Sequence, residues 1–292
     1  TKSKSISEHS VEDKRKGLLF LHSAILIFGG TALFAKLISL PASDITVWRS
    51  FIAVTVILIL LLIQRRPLRL QRPRDGLIML IGGALLGLHW ATYFQAMQVA
   101  GIAVGMMAMY TYPILIVFLE PLFKGHRPHI SDVICACVML FGVTLLVPEF
   151  DLENSVTQGV CWGILSAALF ALRNVMQGHY LKGYSGETSI LYQGVVAGAV
   201  VIPFMTSNPL DVENSDLLKL LLLGALFTAL PHSFFANSLR YLKAKTVGLI
   251  GCLQPVYGAI LAYLVLAEEP GWMTVLGGTI IIGTAAFETY RS

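Results

Sequence analysis

The chain has 292 residues, of which 55 % are hydrophobic and 13 % charged, with a formal net charge of +4 and a mean hydropathy of +0.72. Soluble domains carry about 25 % charged residues, so a water-facing globular surface, a disordered chain and a disulfide-stapled secreted module are all excluded. A net charge this small leaves no footprint for nucleic acid. The composition is that of an all-α integral membrane protein.

Residues 1–16 are polar and include Lys2, Lys4, Lys14, Arg15 and Lys16. They read as a cytoplasmic tail, because the apolar run that follows is a full span without a small-residue cleavage site. A bilayer-spanning helix needs about 20 mostly apolar residues. Ten stretches qualify, at 17–38, 44–63, 75–97, 103–123, 131–148, 157–181, 187–206, 216–239, 246–267 and 272–290. With the tail inside, the inner segments hold Arg65, Arg66, Arg69, Arg72 and Arg74, then Lys124 and Arg127, Lys182, Arg240, Lys243 and Lys245, and Arg291. Of the 21 Lys and Arg, only Lys36, Arg49, Arg173 and Lys219 fall elsewhere. The opposite gaps hold acids: Glu149, Asp151 and Glu153, then Asp211, Glu213 and Asp216, then Glu268 and Glu269. That segregation predicts N-in, C-in topology and an even helix count, in an inner or plasma membrane. Cys135, Cys137, Cys161 and Cys252 all lie in apolar runs and read as packing residues rather than metal ligands.

The chain is also self-similar. Ala32-Leu33-Phe34-Ala35-Lys36 is echoed by Ala168-Leu169-Phe170-Ala171-Leu172-Arg173, and His89 followed by Pro113 is echoed by His232 followed by Pro255. Gly125-His126-Arg127-Pro128 and Ala267-Glu268-Glu269-Pro270 then precede the last span of each half. The predicted organisation is a tail at 1–16, a first five-helix repeat at 17–148, an external linker at 149–156 and a second five-helix repeat at 157–292. An odd number of helices per repeat inverts the second relative to the first, which is the architecture of alternating-access carriers.

The residues Trp48-Arg49-Ser50-Phe51, Tyr110-Thr111-Tyr112-Pro113, Gln254-Pro255 and Leu266-Ala267-Glu268-Glu269-Pro270, set in a five-plus-five arrangement, resemble the drug/metabolite transporter superfamily and its EamA-type branch. The resemblance covers about residues 17–290. It implies a ten-helix transporter but no particular solute, since members carry amino acids, nucleotide-like metabolites, vitamins and drugs. The family pattern has an acid after the fourth span, where this chain reads Lys124-Gly125-His126-Arg127.

Ionisable groups at bilayer depth need a partner or a water-filled cavity. Glu120 with Lys124 and Glu288 with Arg291 have helix-surface spacing, and His22 and His179 lie near an interface. Lys36, Arg49, Arg173, His89 and His232 are the stronger candidates. The structural alternatives are snorkelling of Lys36 beside Asp44 and packed, hydrogen-bonded roles for the arginines and histidines. His89 shares a helix face with Tyr93. Pro113 and Pro255 free the carbonyls of Met109 and Gly251, so they are predicted to kink their helices and serve gating. Tyr110, Gln254, Tyr257 and Trp48 complete a proposed solute lining. Gly83 with Gly87, Gly159 with Gly163, and Gly278 with Gly283 are expected to let helices approach closely.

The expected function is a carrier of a small organic metabolite, best matched by an amino acid or another carboxylate-bearing solute, with export suggested by the resemblance. A planar vitamin such as a flavin, or a cationic drug, is the rival solute. A receptor or scaffold lacks the expected extramembrane domains. An enzyme lacks a His-Glu-x-x-His, a membrane aspartate pair or a Cys–His spacing. No cofactor and no metal are expected. The expected partners are the small-molecule substrate and the lipid bilayer, with proton coupling through histidine and a homodimer left open.

Overall fold

A computed structural model describes residues 2–125, 129–147, 151–238, 241–242, 247 and 250–291. His126, Arg127, Pro128, Glu149, Arg240, Lys243 and Lys245, which carry part of the expected loop pattern, lie outside the described residues. The chain is helical throughout, with no strand among the described residues. The helices are α1 (Lys2–Thr31), α2 (Phe34–Leu37), α3 (Ala42–Ile63), α4 (Pro73–Ala100), α5 (Ile102–Met109), α6 (Tyr112–Lys124) and α7 (Ile130–Leu146). They are followed by α8 (Ser155–Tyr180), α9 (Gly186–Val201), α10 (Asn214–Gly224), α11 (Leu230–Ser238), α12 (Gln254–Leu266) and α13 (Trp272–Arg291). The expected polar tail is part of α1, where Lys16 pairs with Glu12 one turn back at 3.0 Å.

Seven of the expected spans coincide with segments long and apolar enough to cross a bilayer: Glu12–Leu37, Ala42–Ile63, Pro73–Ala100, Ile102–Phe123, Ser155–Tyr180, Gly186–Phe204 and Asn214–Phe235. The other three fall on the shorter apolar helices Ile130–Leu146 and Gln254–Leu266 and on the 20-residue α13. Large apolar side chains cover the outside, among them Ile63, Leu122, Ile130, Leu264 and Trp272. Water would not tolerate so continuous an apolar surface, whereas lipid does. The chain is a multi-pass membrane protein. Cys137 and Cys161 belong to this outer surface and are exposed, so only Cys135 and Cys252 pack inside as expected.

Helix ends carry their own polar satisfaction. The Asn154 side chain accepts from the backbone N–H groups of Val156 and Thr157 at the start of α8. Ser185 does the same for Thr188 at the start of α9, and Asp132 accepts from the His129 N–H before α7. Such caps satisfy donors that the first helical turn leaves open.

The centre of the bundle is α4, which packs on both α8 and α9, while α7 packs on α13 and α1 on α11 and α12. Every one of these contacts joins the first half of the sequence to the second. Glycine makes the closest of them. A Cβ on Gly87 would lie 2.5 Å from the Ala197 carbonyl oxygen, and one on Gly159 would lie 2.1 Å from the Ala100 Cβ. Gly83 and Gly163 meet Val196 and Ala108 in the same way. Gly278 faces the Met107 sulfur, but Gly283 has open space around it, so it has no close-packing role.

Several helices are interrupted. The α5–α6 segment breaks at Tyr110–Thr111, and the segment before α12 breaks at Cys252–Leu253. Pro113 and Pro255 sit in the first turn of α6 and α12 respectively. They therefore open new helices after a break rather than kinking continuous ones, because a first-turn residue needs no N–H donor to the ladder. Between α10 and α11 the chain forms a π turn over Ala225–Ala229, where the Thr228 hydroxyl donates to the Leu223 carbonyl at 2.8 Å.

Gly87→Ala should lower the unfolding temperature in detergent, because the added methyl meets backbone; overpacking of this kind costs about 1–3 kcal/mol. Gly178→Ala, a helical position with open space, should be neutral or stabilising. Thermal unfolding of the two variants beside the parent chain checks the contrast.

Candidate functional site

Proline removes the donor for the carbonyl four residues earlier, and in an apolar interior that carbonyl must find another. Pro255 frees the carbonyl of Gly251, and the Tyr110 hydroxyl donates to it at 2.8 Å. The same hydroxyl lies 3.1 Å from the Gln254 side-chain oxygen. Pro231, in α11, frees the carbonyl of Phe227, and the Thr31 hydroxyl donates to that one, also at 2.8 Å. Both donors come from the first half of the chain and both acceptors from the second.

Around these breaks lies a continuous series of rings. Tyr110 contacts Tyr112, Tyr112 contacts Phe170 at 4.9 Å, and Phe170 stacks on His89 at 4.6 Å. His89 stacks in turn on Tyr93, as their shared helix face required, and Tyr93 meets Phe94 edge-on. At the other end Phe28 meets His232 edge-on at 4.9 Å, and His232 meets Trp90. The two stretches are joined by Arg49, whose guanidinium lies 4.4 Å over Trp90 and 5.1 Å over Phe94. A desolvated guanidinium over two ring faces gains cation–π attraction worth about 2 kcal/mol. That is less than the cost of burying a charge without an anion.

Arg49 is 2 % exposed. Its Nε and the Tyr93 hydroxyl are the two buried side-chain polar atoms without a hydrogen-bond partner among the described residues. The two groups also interact electrostatically. Arg173, half-buried on α8, donates from Nε to the Gln193 side-chain oxygen at 2.8 Å and from NH1 to Asn174. The amide ladder continues, since the Gln193 NH2 donates to Gln177 and the Gln177 NH2 donates to the Ser189 hydroxyl, each at 2.8 Å. Neither arginine has a carboxylate in ion-pair contact among the described residues. Arg49 and Arg173 both act electrostatically on His89 and His232, so the four groups form one electrostatic neighbourhood. His89 Nδ1 lies 2.7 Å from the Ser166 hydroxyl of α8, and His232 Nδ1 lies 2.6 Å from the Thr228 carbonyl oxygen.

Two pockets open at opposite ends of the bundle. One, of about 650 Å³, is lined by Lys36, Gly101, Leu146 and Glu268. The other, of about 570 Å³, is lined by Phe20, Leu61, Glu187 and Asn237. Phe20 and Lys36 mark ends of the first span roughly 24 Å apart at 1.5 Å per residue. Phe28 lies between them, so the ring series stands between the two pockets. In the first pocket Glu268 accepts from the Ala103 N–H at 3.2 Å and lies against Gly101, whose φ of +92° only glycine adopts freely.

The structure thus brings together Arg49, His89, Tyr93, Tyr110, Arg173, His232 and Gln254 from the expected residues. Lys36 is elsewhere: its ammonium donates to the Gln98 carbonyl at 2.7 Å on the rim of the first pocket. The expected neighbour Asp44 instead accepts from the N–H groups of Thr206 and Ser207. Tyr257 packs with an apolar cluster beside α1 that Phe28 of the ring series also joins, and Trp48 lies half-buried against the main core. Trp90, Phe94, Tyr112, Phe170 and Gln193 join the site without having been singled out. Trp90 and Phe94 stand one helical turn apart, but nothing in that spacing points to Arg49 on another helix. Pro231 carries a signal in its residue type, since proline marks a freed carbonyl four residues earlier. Side chains of Lys124 and Arg291, the expected partners of Glu120 and Glu288, lie outside the described residues.

Tyr110→Phe should destabilise the fold by about 1–3 kcal/mol, because it leaves the Gly251 carbonyl without its donor. Tyr112→Phe, whose hydroxyl has no hydrogen bond among the described residues, should change stability far less. Thermal unfolding in detergent checks the difference.

Comparison with known proteins places this geometry. The model of the EamA-like transporter family matches residues 15–147 and again residues 157–289. The chain is 22 % identical over 291 residues to the Uncharacterized transporter YxxF of Bacillus subtilis (strain 168), covering 97 % of this chain and 93 % of that one. It is 25 % identical over 245 residues to the Pseudopaline exporter CntI of Pseudomonas aeruginosa (strain UCBPP-PA14), covering 84 % of each. A crystal structure 21 % identical in sequence superposes on 94 % of this chain and 99 % of its own with a TM-score of 0.63, a likeness of fold. The chain belongs to the EamA-like transporter family, in the drug/metabolite transporter superfamily.

Proposed function

We propose that this transporter moves a small organic solute bearing a carboxylate, with amino acids as the leading class, by alternating access through the Arg49 site. The observation that carries the reading is the pair of buried donors, Arg49 Nε and the Tyr93 hydroxyl, that have no partner among the described residues, beside a guanidinium that has rings for neighbours and no carboxylate in contact among those residues. One carboxylate can accept from both donors and neutralise the charge. The ring series beside it suits an apolar or aromatic remainder of the solute. Two cations at the centre weigh against a cationic drug.

The same proposal includes ten spans with both termini cytoplasmic, in an inner or plasma membrane, as two inverted five-helix halves at 17–148 and 157–292. The repeated family match and the two pockets at opposite ends support it. In this reading rocking of one half against the other exposes the ring series to each side in turn. Export is the favoured direction; a relative named as an exporter supports it. His89 and His232 are candidates for proton coupling because they share the electrostatic neighbourhood of Arg49.

Solute counterflow in proteoliposomes tests the function. Vesicles preloaded with an amino acid mixture should accumulate labelled amino acid in a protein-dependent way, and an imposed pH gradient reads the coupling. Arg49→Gln should cut the rate on the order of 100-fold, as expected when a buried charge contact is truncated. Arg49→Lys should recover only part of it, since lysine lacks the planar fork and stacks poorly. Undiminished counterflow by Arg49→Gln would remove Arg49 from the site.

A further inference from the structure

Five arginines, Arg65, Arg66, Arg69, Arg72 and Arg74, lie within ten residues that run from the end of α3 into the first turn of α4. Like charges at this density repel one another, and the chain offers little to neutralise them. The acid nearest in sequence, Asp75, is buried and accepts from the Tyr184 hydroxyl at 2.6 Å. Among the described residues Arg65, Arg69 and Arg72 form no ion pair, and Arg74 lies 5.4 Å over the ring of Tyr180. Lys182 adds another exposed cation on the neighbouring α8–α9 turn.

A loop of such charge would ordinarily be loose, yet this one is held at several points from the second half of the chain. The Tyr192 hydroxyl donates to the Leu68 carbonyl. The Gln71 N–H donates to the Tyr184 oxygen at 2.6 Å, and the Gln71 side-chain NH2 donates to the Gly183 carbonyl at 3.1 Å. Partial burial, and then the bond to Asp75, push the Tyr184 hydroxyl above its ordinary pKa, so it stays a donor at neutral pH. Its height relative to lipid is also fixed. Leu62 and Ile63 at the end of α3, and Leu77 and Leu80 at the start of α4, are exposed apolar side chains. Arg65 follows Ile63 by two residues and Arg74 precedes Leu77 by three, about one helical turn. The guanidiniums therefore begin where the apolar belt ends, at the level of phospholipid headgroups.

We propose that the α3–α4 loop is a preformed binding surface for anionic phospholipid headgroups, with Arg69, Arg72 and Arg74 as its phosphate ligands. The guanidinium fork fits phosphate oxygens in pairs, and a basic segment beside a membrane helix is attracted to an anionic leaflet. The tyrosine ties supply rigidity, so the cations need not be ordered again when a headgroup arrives. The lipid is a partner separate from the transported solute, and this assignment does not depend on the solute proposed above.

Retention of phosphatidylglycerol against phosphatidylcholine by the purified full chain, read by native mass spectrometry over a lipid titration, tests it. The parent chain should retain phosphatidylglycerol selectively. The triple variant Arg69→Gln, Arg72→Gln, Arg74→Gln should weaken that retention on the order of 100-fold, at about fivefold for each arginine. Loss of these charges can also disturb insertion, so two variants keep the test clean. The triple Arg→Lys variant preserves the topology-setting charge and should stay within about tenfold of the parent. Tyr184→Phe leaves every cation in place, loosens the loop by removing the Tyr184 bonds to Gln71 and Asp75, and should weaken retention severalfold. Equal retention of the two lipids by the parent chain would overturn the proposal. So would unchanged phosphatidylglycerol retention in Tyr184→Phe and in the triple glutamine variant.

Discussion

Arg49 carries a full charge into the middle of an apolar bundle, and the site around it answers to that fact. The guanidinium is 2 % exposed and is bracketed by Trp90 and Phe94, yet among the described residues it has no anion to make such burial tolerable. Ring faces recover part of the cost; Nε and the nearby Tyr93 hydroxyl recover none. In the proposed reading a carboxylate acceptor removes that deficit, and satisfying it would supply the differential affinity that biases one conformation over another.

The main chain around this site is handled by the same rule. Pro255 and Pro231 leave carbonyls that lipid cannot serve, and hydroxyls of Tyr110 and Thr31 reach across from the other half to serve them. The first half therefore completes the backbone of the second. Glycines on α4 and α8 bring the halves into direct contact at Ala197 and Ala100, which leaves little room for sliding without concerted movement.

Much of this was legible in the sequence, and the remainder was hidden for definable reasons. Apolar length located seven segments that the structure shows as long, apolar helices. The rarity of charge at bilayer depth singled out Arg49, Arg173, His89 and His232, which share one neighbourhood. Small-residue spacing found the α4 and α8 contacts, though it also nominated Gly283, because sequence spacing cannot say whether a neighbour stands opposite. Lys36 was grouped with the central cations by its place in the repeat; the α1–α2 break instead sends its ammonium to the Gln98 carbonyl. Trp90, Phe94, Phe170 and Gln193 escaped notice because apolar residues and amides on long helices carry no local mark of the partner they meet. Pro113 and Pro255 were found by residue type, but whether a proline bends a helix or begins one depends on the turn before it.

The central claim is that Arg49 and Tyr93 recognise a carboxylate. Trp90, directly under the guanidinium, is a built-in reporter once Trp48, Trp162 and Trp272, the others of the four tryptophans, are replaced by phenylalanine. Its fluorescence would be titrated with a panel of amino acids and with the corresponding amides, which keep the side chain and amine but lose the negative charge. A saturable change with one or more acids and none with their amides is the result this account requires. Equal responses to acid and amide, or no response to any acid in folded protein, would contradict it.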